Sequence, residues 1–149
     1  MIPSAGAPDF DGLLLGDGDD DLDEQLSAGL DQYNLQATGL ADQRKITVRV
    51  DDDAGELIGG LRGWTWGTCA GISMVWVRED ARRDGWGRRL LAAAEHVARE
   101  RGCRQIIVSS FTFQAPGFYQ RCGFVETGRI DGLPLDGMAD VQLSKRLVA

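Results

Sequence analysis

The residues with the densest chemical functionality lie in Arg82-Arg83-Asp84-Gly85-Trp86-Gly87-Arg88-Arg89, which carries four guanidinium groups and two glycines. Glycine lets a backbone approach a ligand closely and adopt conformations closed to other residues. A glycine turn that feeds a helix N-terminus points unpaired N–H groups and the positive end of the helix dipole at one place. Such a turn binds anions, and phosphate is the natural guest. A second segment, Ala115-Pro116-Gly117-Phe118-Tyr119-Gln120-Arg121-Cys122-Gly123-Phe124, supplies a phenol and a thiol. Nothing beside Cys122 would stabilise a thiolate, so it reads as a small packing residue. Cys69 and Cys103 show no CxxC spacing with it or with each other, as expected of reduced thiols. The lone histidine, His96, falls inside the helix after the glycine turn and reads as a surface residue rather than a base.

Three classes of phosphate ligand could use the turn. A nucleoside-triphosphate P-loop needs GxxxxGK followed by Ser or Thr, and no such run occurs. A dinucleotide fingerprint needs GxGxxG, but Gly85-Trp86-Gly87 is followed by Arg88, Arg89 and Leu90, so the third glycine is missing. The pyrophosphate of coenzyme A is left.

The elements that must hold these residues are legible around them. Ile72, Met74, Val75, Trp76 and Val77 form a short apolar run expected of a strand covered on both faces. Leu90, Leu91, Ala94, Val97 and Ala98 recur at helical spacing after the turn, and Gly102 stands where a helix ends. Gln105–Ser109 follows as a strand, so strand, turn, helix and strand make a βαβ unit with parallel strands. Upstream, Leu13-Leu14-Leu15 reads as a first strand, and Leu22, Leu26, Leu30 and Tyr33 as the apolar stripe of a helix ending near Gly39. Lys45–Val50 and Glu56–Trp66 read as a strand pair with a bulge near Gly59-Gly60. Pro116 and Gly123 bracket a short helix, and Val125–Arg129 and Val141–Leu147 close the sheet. The fold class is α/β with a mixed sheet.

The acidic run Asp17-Gly18-Asp19-Asp20-Asp21-Leu22-Asp23-Glu24 fails the calcium-loop spacing and reads as an acid-rich helix N-terminus, so no metal site is expected. With 149 residues, a net charge of -7 and a sequence pI of about 4.6, the chain is no general nucleic-acid binder. The acidity suits a cationic acceptor. No apolar run reaches the ~20 residues that span a bilayer, and a basic segment followed by an apolar one does not open the chain. A cytoplasmic protein without membrane contact is the expectation, with Met1–Pro8 frayed.

Arg82-x-x-Gly85-x-Gly87 after a strand ending Val75-x-Val77, followed by Ala115-x-x-Phe118-Tyr119-x-x-x-Gly123-Phe124, resembles the acetyl-CoA motifs of the GNAT N-acetyltransferase superfamily. The likeness is good from Val48 to Phe124 and looser at the flanks. It implies a single domain over residues 1–149, with a mixed sheet splayed between two central parallel strands and helices on both faces. It implies direct transfer of acetyl from acetyl-CoA to a primary amine of a small molecule or peptide. Val75, Trp76 and Val77 would flank the pantetheine arm, with backbone pairing at Val75 and Val77. The segment Arg83, Asp84, Gly85, Trp86, Gly87 and Arg88 would cradle the pyrophosphate through backbone N–H groups, with Arg82 and Arg83 adding charge. Phe118 would pack against the cofactor, and Tyr119 would protonate the departing thiolate. The family's usual asparagine is replaced here by Thr112, for which Gln114 is a substitute. Glu79, Asp80, Glu126 or an ordered water are candidates for the base. Thr112 and the want of an obvious base also fit a second reading, a non-catalytic acyl-CoA sensor or complex subunit. Trp64, Trp66, Trp76 and Trp86 either pack the sheet and cleft or form a homodimer surface.

Overall fold

The computed structural model describes residues 9–147, so the expectation for Met1–Pro8 lies outside the described residues. The chain falls into two compact units, one ending at Ala41 and the other beginning at Asp42.

In the first unit the expected strand at Leu13–Leu15 is irregular, and all three leucines are exposed. Three successive leucines carry no period-two alternation, and Gly12 before them takes φ +79, a turn conformation. Helix α1 (Asp20–Thr38) starts where the acid run predicts. The Asp19 carboxylate accepts from Leu22 N–H at 3.0 Å, and Asp20, Asp21 and Asp23 sit in the first turn against the dipole. Gly39 ends it at φ +71, its N–H donating to Leu35 O at 2.8 Å. The stripe Leu22, Leu26, Leu30 and Tyr33 is exposed.

The second unit is a six-stranded mixed sheet of order β1-β2-β3-β4-β6-β5. Its strands are β1 (Arg44–Asp51), β2 (Leu57–Trp66), β3 (Cys69–Val77), β4 (Gln105–Phe111), β5 (Val125–Asp131) and β6 (Ala139–Arg146). A 3-10 turn (Glu79–Ala81) and helix α2 (Trp86–Glu100) link β3 to β4, and helix α3 (Pro116–Arg121) follows β4. The register of β1 on β2 shifts where Val50 faces Gly59 and Asp51 faces Leu57, a bulge beside the expected glycine pair.

Helix α2 buries Leu90, Leu91, Ala94 and Ala98 in one cluster with Ile46, Leu61, Ile106 and Val141 from the sheet. The same cluster holds Tyr119 and Phe124, so α2 and α3 share one core. The α2 carboxylate Glu95, nearly fully buried, pairs with Lys145 Nζ of β6 at 2.8 Å. An isolated charge there would be costly; the ammonium partner is what makes it tolerable.

The two central strands are parallel but joined only at Cys69–Gln105, Ala70–Ile106 and Gly71–Ile107. Past Gly71, β3 is paired only with β2 and β4 only with β6, so a gap opens between them. Opposite the gap the β2–β3 register passes from Gly63–Ile72 to Arg62–Met74, leaving Ser73 as an extra residue that bends β3. The expectation that β3 is covered on both faces therefore holds only for its first half. Ala70 and Ile72 are buried, whereas Met74 is 62% and Trp76 49% exposed. An apolar run signals burial in a continuous sheet; here its second half borders an opening.

Candidate active site

The gap between β3 and β4 is the mouth around which the predicted residues gather. At the end of β3 the Arg82 Nε donates to Val77 O at 2.9 Å, bringing the loop back over the strand terminus. Arg78 braces the same corner: its Nε meets Asp80 at 2.6 Å and its Nη1 meets Asp52 of the β1–β2 turn at 3.0 Å. The N–H of Glu56 first, and the Arg78 guanidinium next, hold the Asp52 carboxyl below its usual range.

Gly85 is the N-cap of α2 at φ +79, a conformation that side chains resist, and a Cβ there would meet nothing within 4 Å. The first amide to bond back is Arg89, to Gly85 O at 3.1 Å. The N–H groups of Trp86, Gly87 and Arg88 in the first turn consequently have no intrahelical acceptor. A Cβ on Gly87 would lie 3.4 Å from Phe118 Cζ, so helix α2 and the Phe118 ring meet closely there.

Two cavities adjoin. The first, about 490 Å³, is lined by Val75, Trp76 and Val77, by Arg82, Arg83, Gly85, Gly87 and Arg88, and by Ala115, Phe118, Tyr119 and Arg121. The second, about 510 Å³, runs along the gap from Ile72 to Trp76 on β3 and from Val108 to Ser110 on β4, with Gln114, Ala115 and Tyr119. Tyr119 lines both. Its ring packs edge-on against Phe118 (centroids 5.1 Å) and Phe124 (5.5 Å), and the residue is 7% exposed. The hydroxyl has no hydrogen-bond partner among the described residues. Burial, with a smaller effect from Cys122, pushes the phenol above its ordinary pKa. It is thus a neutral donor over the working pH range.

Asp84 and Trp86 belong to the turn but line neither cavity. Trp86 instead lies beneath the Arg89 guanidinium, 4.2 Å from ring centroid to Cζ. Thr112 also lines neither: its N–H donates to Ala139 O at 2.9 Å and its Oγ1 accepts from Ala139 N–H at 3.2 Å, extending the β4–β6 ladder. Gln114 does border the second cavity. Its Oε1 accepts from Phe111 N–H at 2.9 Å, which leaves the amide NH₂ for another partner. Among the base candidates, Asp80 is held by Arg78 and Glu126 by Arg129 at 2.9 Å, and neither they nor Glu79 line the cavities. His96 is exposed on α2. No cluster of His, Cys, Asp or Glu able to hold a metal occurs among the described residues.

Sequence reading missed Arg121 and Ser110. Arg121 adds a cation to the first cavity; its signal was an arginine one helical turn after Phe118 on α3. Ser110 interrupts the inward-facing row Ile106, Val108 of β4, and a lone serine carries little signal by itself.

The residues present fit a diphosphate carried on a long arm. Free N–H groups and arginines face the first cavity, and the strand edge Ile72–Val77 is open to an extended chain.

A family model described as the acetyltransferase (GNAT) family matches residues 17–124. The blasticidin-S acetyltransferase of Streptomyces morookaense is 44% identical over 86 residues, 55% of this chain and 61% of that protein. An acetyltransferase crystal structure from Bacillus cereus superposes with a TM-score of 0.78 at 31% identity, covering 89% of this chain and 96% of its own. A Bacillus anthracis structure described as a streptothricin acetyltransferase, in complex with acetyl coenzyme A, gives a TM-score of 0.60 at 25% identity over 68% of this chain and 62% of its own.

Proposed function

The chain belongs to the acetyltransferase (GNAT) family, and from that premise we propose that it moves an acetyl group directly from acetyl-CoA to a primary amine of a small molecule or peptide. The observation that carries the proposal is Tyr119 at the junction of the two cavities, one rich in cations and free N–H groups, the other running along the strand gap. In this reading Arg82, Arg83, Arg88 and the N–H groups of the α2 first turn hold the pyrophosphate. Phe118 packs beside it. The pantetheine arm lies along the open edge of β3 past Val75, Trp76 and Val77, with the Gln114 amide replacing the family's asparagine contact. The thioester then lies beside Tyr119, a neutral phenol suited to protonating sulfur as the amine attacks. Thr112 is left to structure.

The chain's net charge of -7 favours a cationic acceptor. Blasticidin S and streptothricin come first in the acceptor panel, because similar proteins carry those names. Among the described residues no helix is long and apolar enough to cross a membrane, and a cytoplasmic site of action belongs to the proposal.

The experiment is release of CoA thiol from acetyl-CoA with a panel of blasticidin S, streptothricin, aminoglycosides, polyamines and peptide N-termini. Acceptor-dependent release is expected with at least one cationic amine. Tight acetyl-CoA binding with no release across the panel would favour the sensor or complex-subunit reading instead.

A further inference from the structure

Ser110 is the one hydroxyl in an otherwise apolar inner row of β4, and it is buried as deeply as its neighbours. Ile106 is 0%, Val108 6% and Ser110 3% exposed. Its Oγ accepts from Ala115 N–H at 3.2 Å. Ala115 is the N-cap of α3 and makes no side-chain cap of its own, so Ser110 fixes the start of the short helix that carries Tyr119. That bond uses the oxygen as an acceptor only. A hydroxyl also has one proton to donate, and among the described residues it has no acceptor. Ser110 lines the second cavity together with Tyr119 and Gln114. A buried donor without a partner, at a cavity wall, is a group arranged for something that enters the cavity.

We propose that Ser110 is a second catalytic hydroxyl, donating its O–H to the sulfur of a thioester bound in the gap while its lone pair holds Ala115 N–H. The role rests on the acetyl-transfer reading above. In the step it serves, the amine nitrogen bonds to the carbonyl carbon, the C–S bond breaks, and the electron pair leaves on sulfur. Tyr119 gives sulfur its proton, and the proton shed by the attacking nitrogen restores the phenol. Ser110 gives up no proton. Its hydrogen bond grows stronger as negative charge builds on sulfur, which is the difference that speeds a reaction.

The test compares wild type with Ser110→Ala and Ser110→Cys, each alone and combined with Tyr119→Phe. Cysteine is close in size, its sulfur can still accept weakly from Ala115 N–H, and S–H is a poor donor; it keeps the test valid where Ser110→Ala does not fold. The readouts are melting temperature, acetyl-CoA affinity by tryptophan fluorescence, and thiol release by slow hydrolysis without acceptor. Hydrolysis frees the result from the identity of the amine.

Ser110→Cys is expected to lower hydrolysis about 10- to 100-fold, less than the ~10²- to 10³-fold of a fully lost transition-state donor because S–H still donates weakly, with acetyl-CoA affinity within about threefold. In the Tyr119→Phe background the further loss shrinks, because both groups act on one sulfur. Folded variants that hydrolyse acetyl-CoA at the wild-type rate overturn the role of Ser110 alone. So does a loss that moves in parallel with affinity and melting temperature and is the same in both backgrounds, which marks a structural hydroxyl. A wild-type protein that neither binds acetyl-CoA nor releases thiol overturns the transferase reading itself, and this role with it.

Discussion

Replacing Tyr119 by phenylalanine removes one oxygen and leaves the ring where it is. The ring's edge-on contacts with Phe118 and Phe124 are made by carbon and survive the change. The lost hydroxyl has no partner among the described residues, so no buried group is orphaned, and stability should stay within about 1 kcal/mol of wild type. Truncation to alanine differs: it empties a site in the shared core and should cost about 3–5 kcal/mol. The chemical effect of Tyr119→Phe should be large by comparison. Loss of a positioned proton donor lowers kcat about 10²- to 10⁴-fold, which is about 2.7–5.5 kcal/mol of barrier. Acetyl-CoA affinity should be nearly unchanged, since the phenol is needed once charge develops on sulfur rather than before. Thiol release at saturating donor, with affinity by tryptophan fluorescence and melting by calorimetry, separates these effects. The phenol is held above its ordinary value, so it remains a donor below that value and loses this capacity only as pH rises through its raised one. Any activity limb below pH ~10 then belongs to another group, such as the acceptor amine shedding its proton. Turnover by the phenylalanine variant within about twofold of wild type would refute the assignment.

Other outcomes follow from the same geometry. Gly85→Ala forces a side chain into φ +79 with no contact within 4 Å to blame, so the strain of about 1–2 kcal/mol should lower the melting temperature by about 2–8 °C and weaken acetyl-CoA binding. Gln114→Glu keeps the oxygen that caps Phe111 N–H but loses the free NH₂, so acetyl-CoA affinity should fall while melting holds. Thr112→Ala should do the reverse, because its hydroxyl supports Ala139 N–H rather than the cavity. Asp52 has a depressed pKa, so its contribution to stability is present above the unfolded value and disappears as pH falls through the folded one. A melting series from about pH 7 to 3 should therefore show Asp52→Asn less stable than wild type at the upper end, with the gap closing below pH ~4.

Local signals in the chain proved readable where one residue decides the backbone. Asp19 caps α1, Gly39 ends it, and Gly85 and Gly123 take the positive φ values their places in turns suggest. Leu13–Leu15 misled because hydrophobicity without a partner strand is no strand, and partnership is not written in three residues. The run from Ile72 to Val77 misled differently: its burial depends on whether β4 stays alongside, and that is settled by the bulge at Ser73 and the register of other strands. Around the gap, Arg82, Arg83, Gly85, Gly87, Arg88, Phe118 and Tyr119 stand at the motif positions of the resemblance and line one cavity, whereas Asp84 and Trp86 at neighbouring motif positions do not. Thr112 and Gln114 could not be separated by spacing, since what divides them is which way each side chain bonds. Ser110 was not singled out because nothing in its spacing gives one serine a role.

The three rungs that join β3 to β4 make the sheet mechanically two ribbons, β1-β2-β3 and β4-β6-β5, sewn together by a short seam and by the core beneath it. Anything lying in the open part of the seam touches both ribbons and acts as a clasp. Donor binding would then be coupled to the cohesion of the sheet: at a hundredfold excess over its dissociation constant a bound donor would add about 2.7 kcal/mol. Amide exchange should show it, with slowing shared between the far ends of β3 and β4 rather than confined to the glycine turn. The gap is also where the sheet has its shortest run of pairing, so a donor bound there would bridge the sparsest line of the sheet.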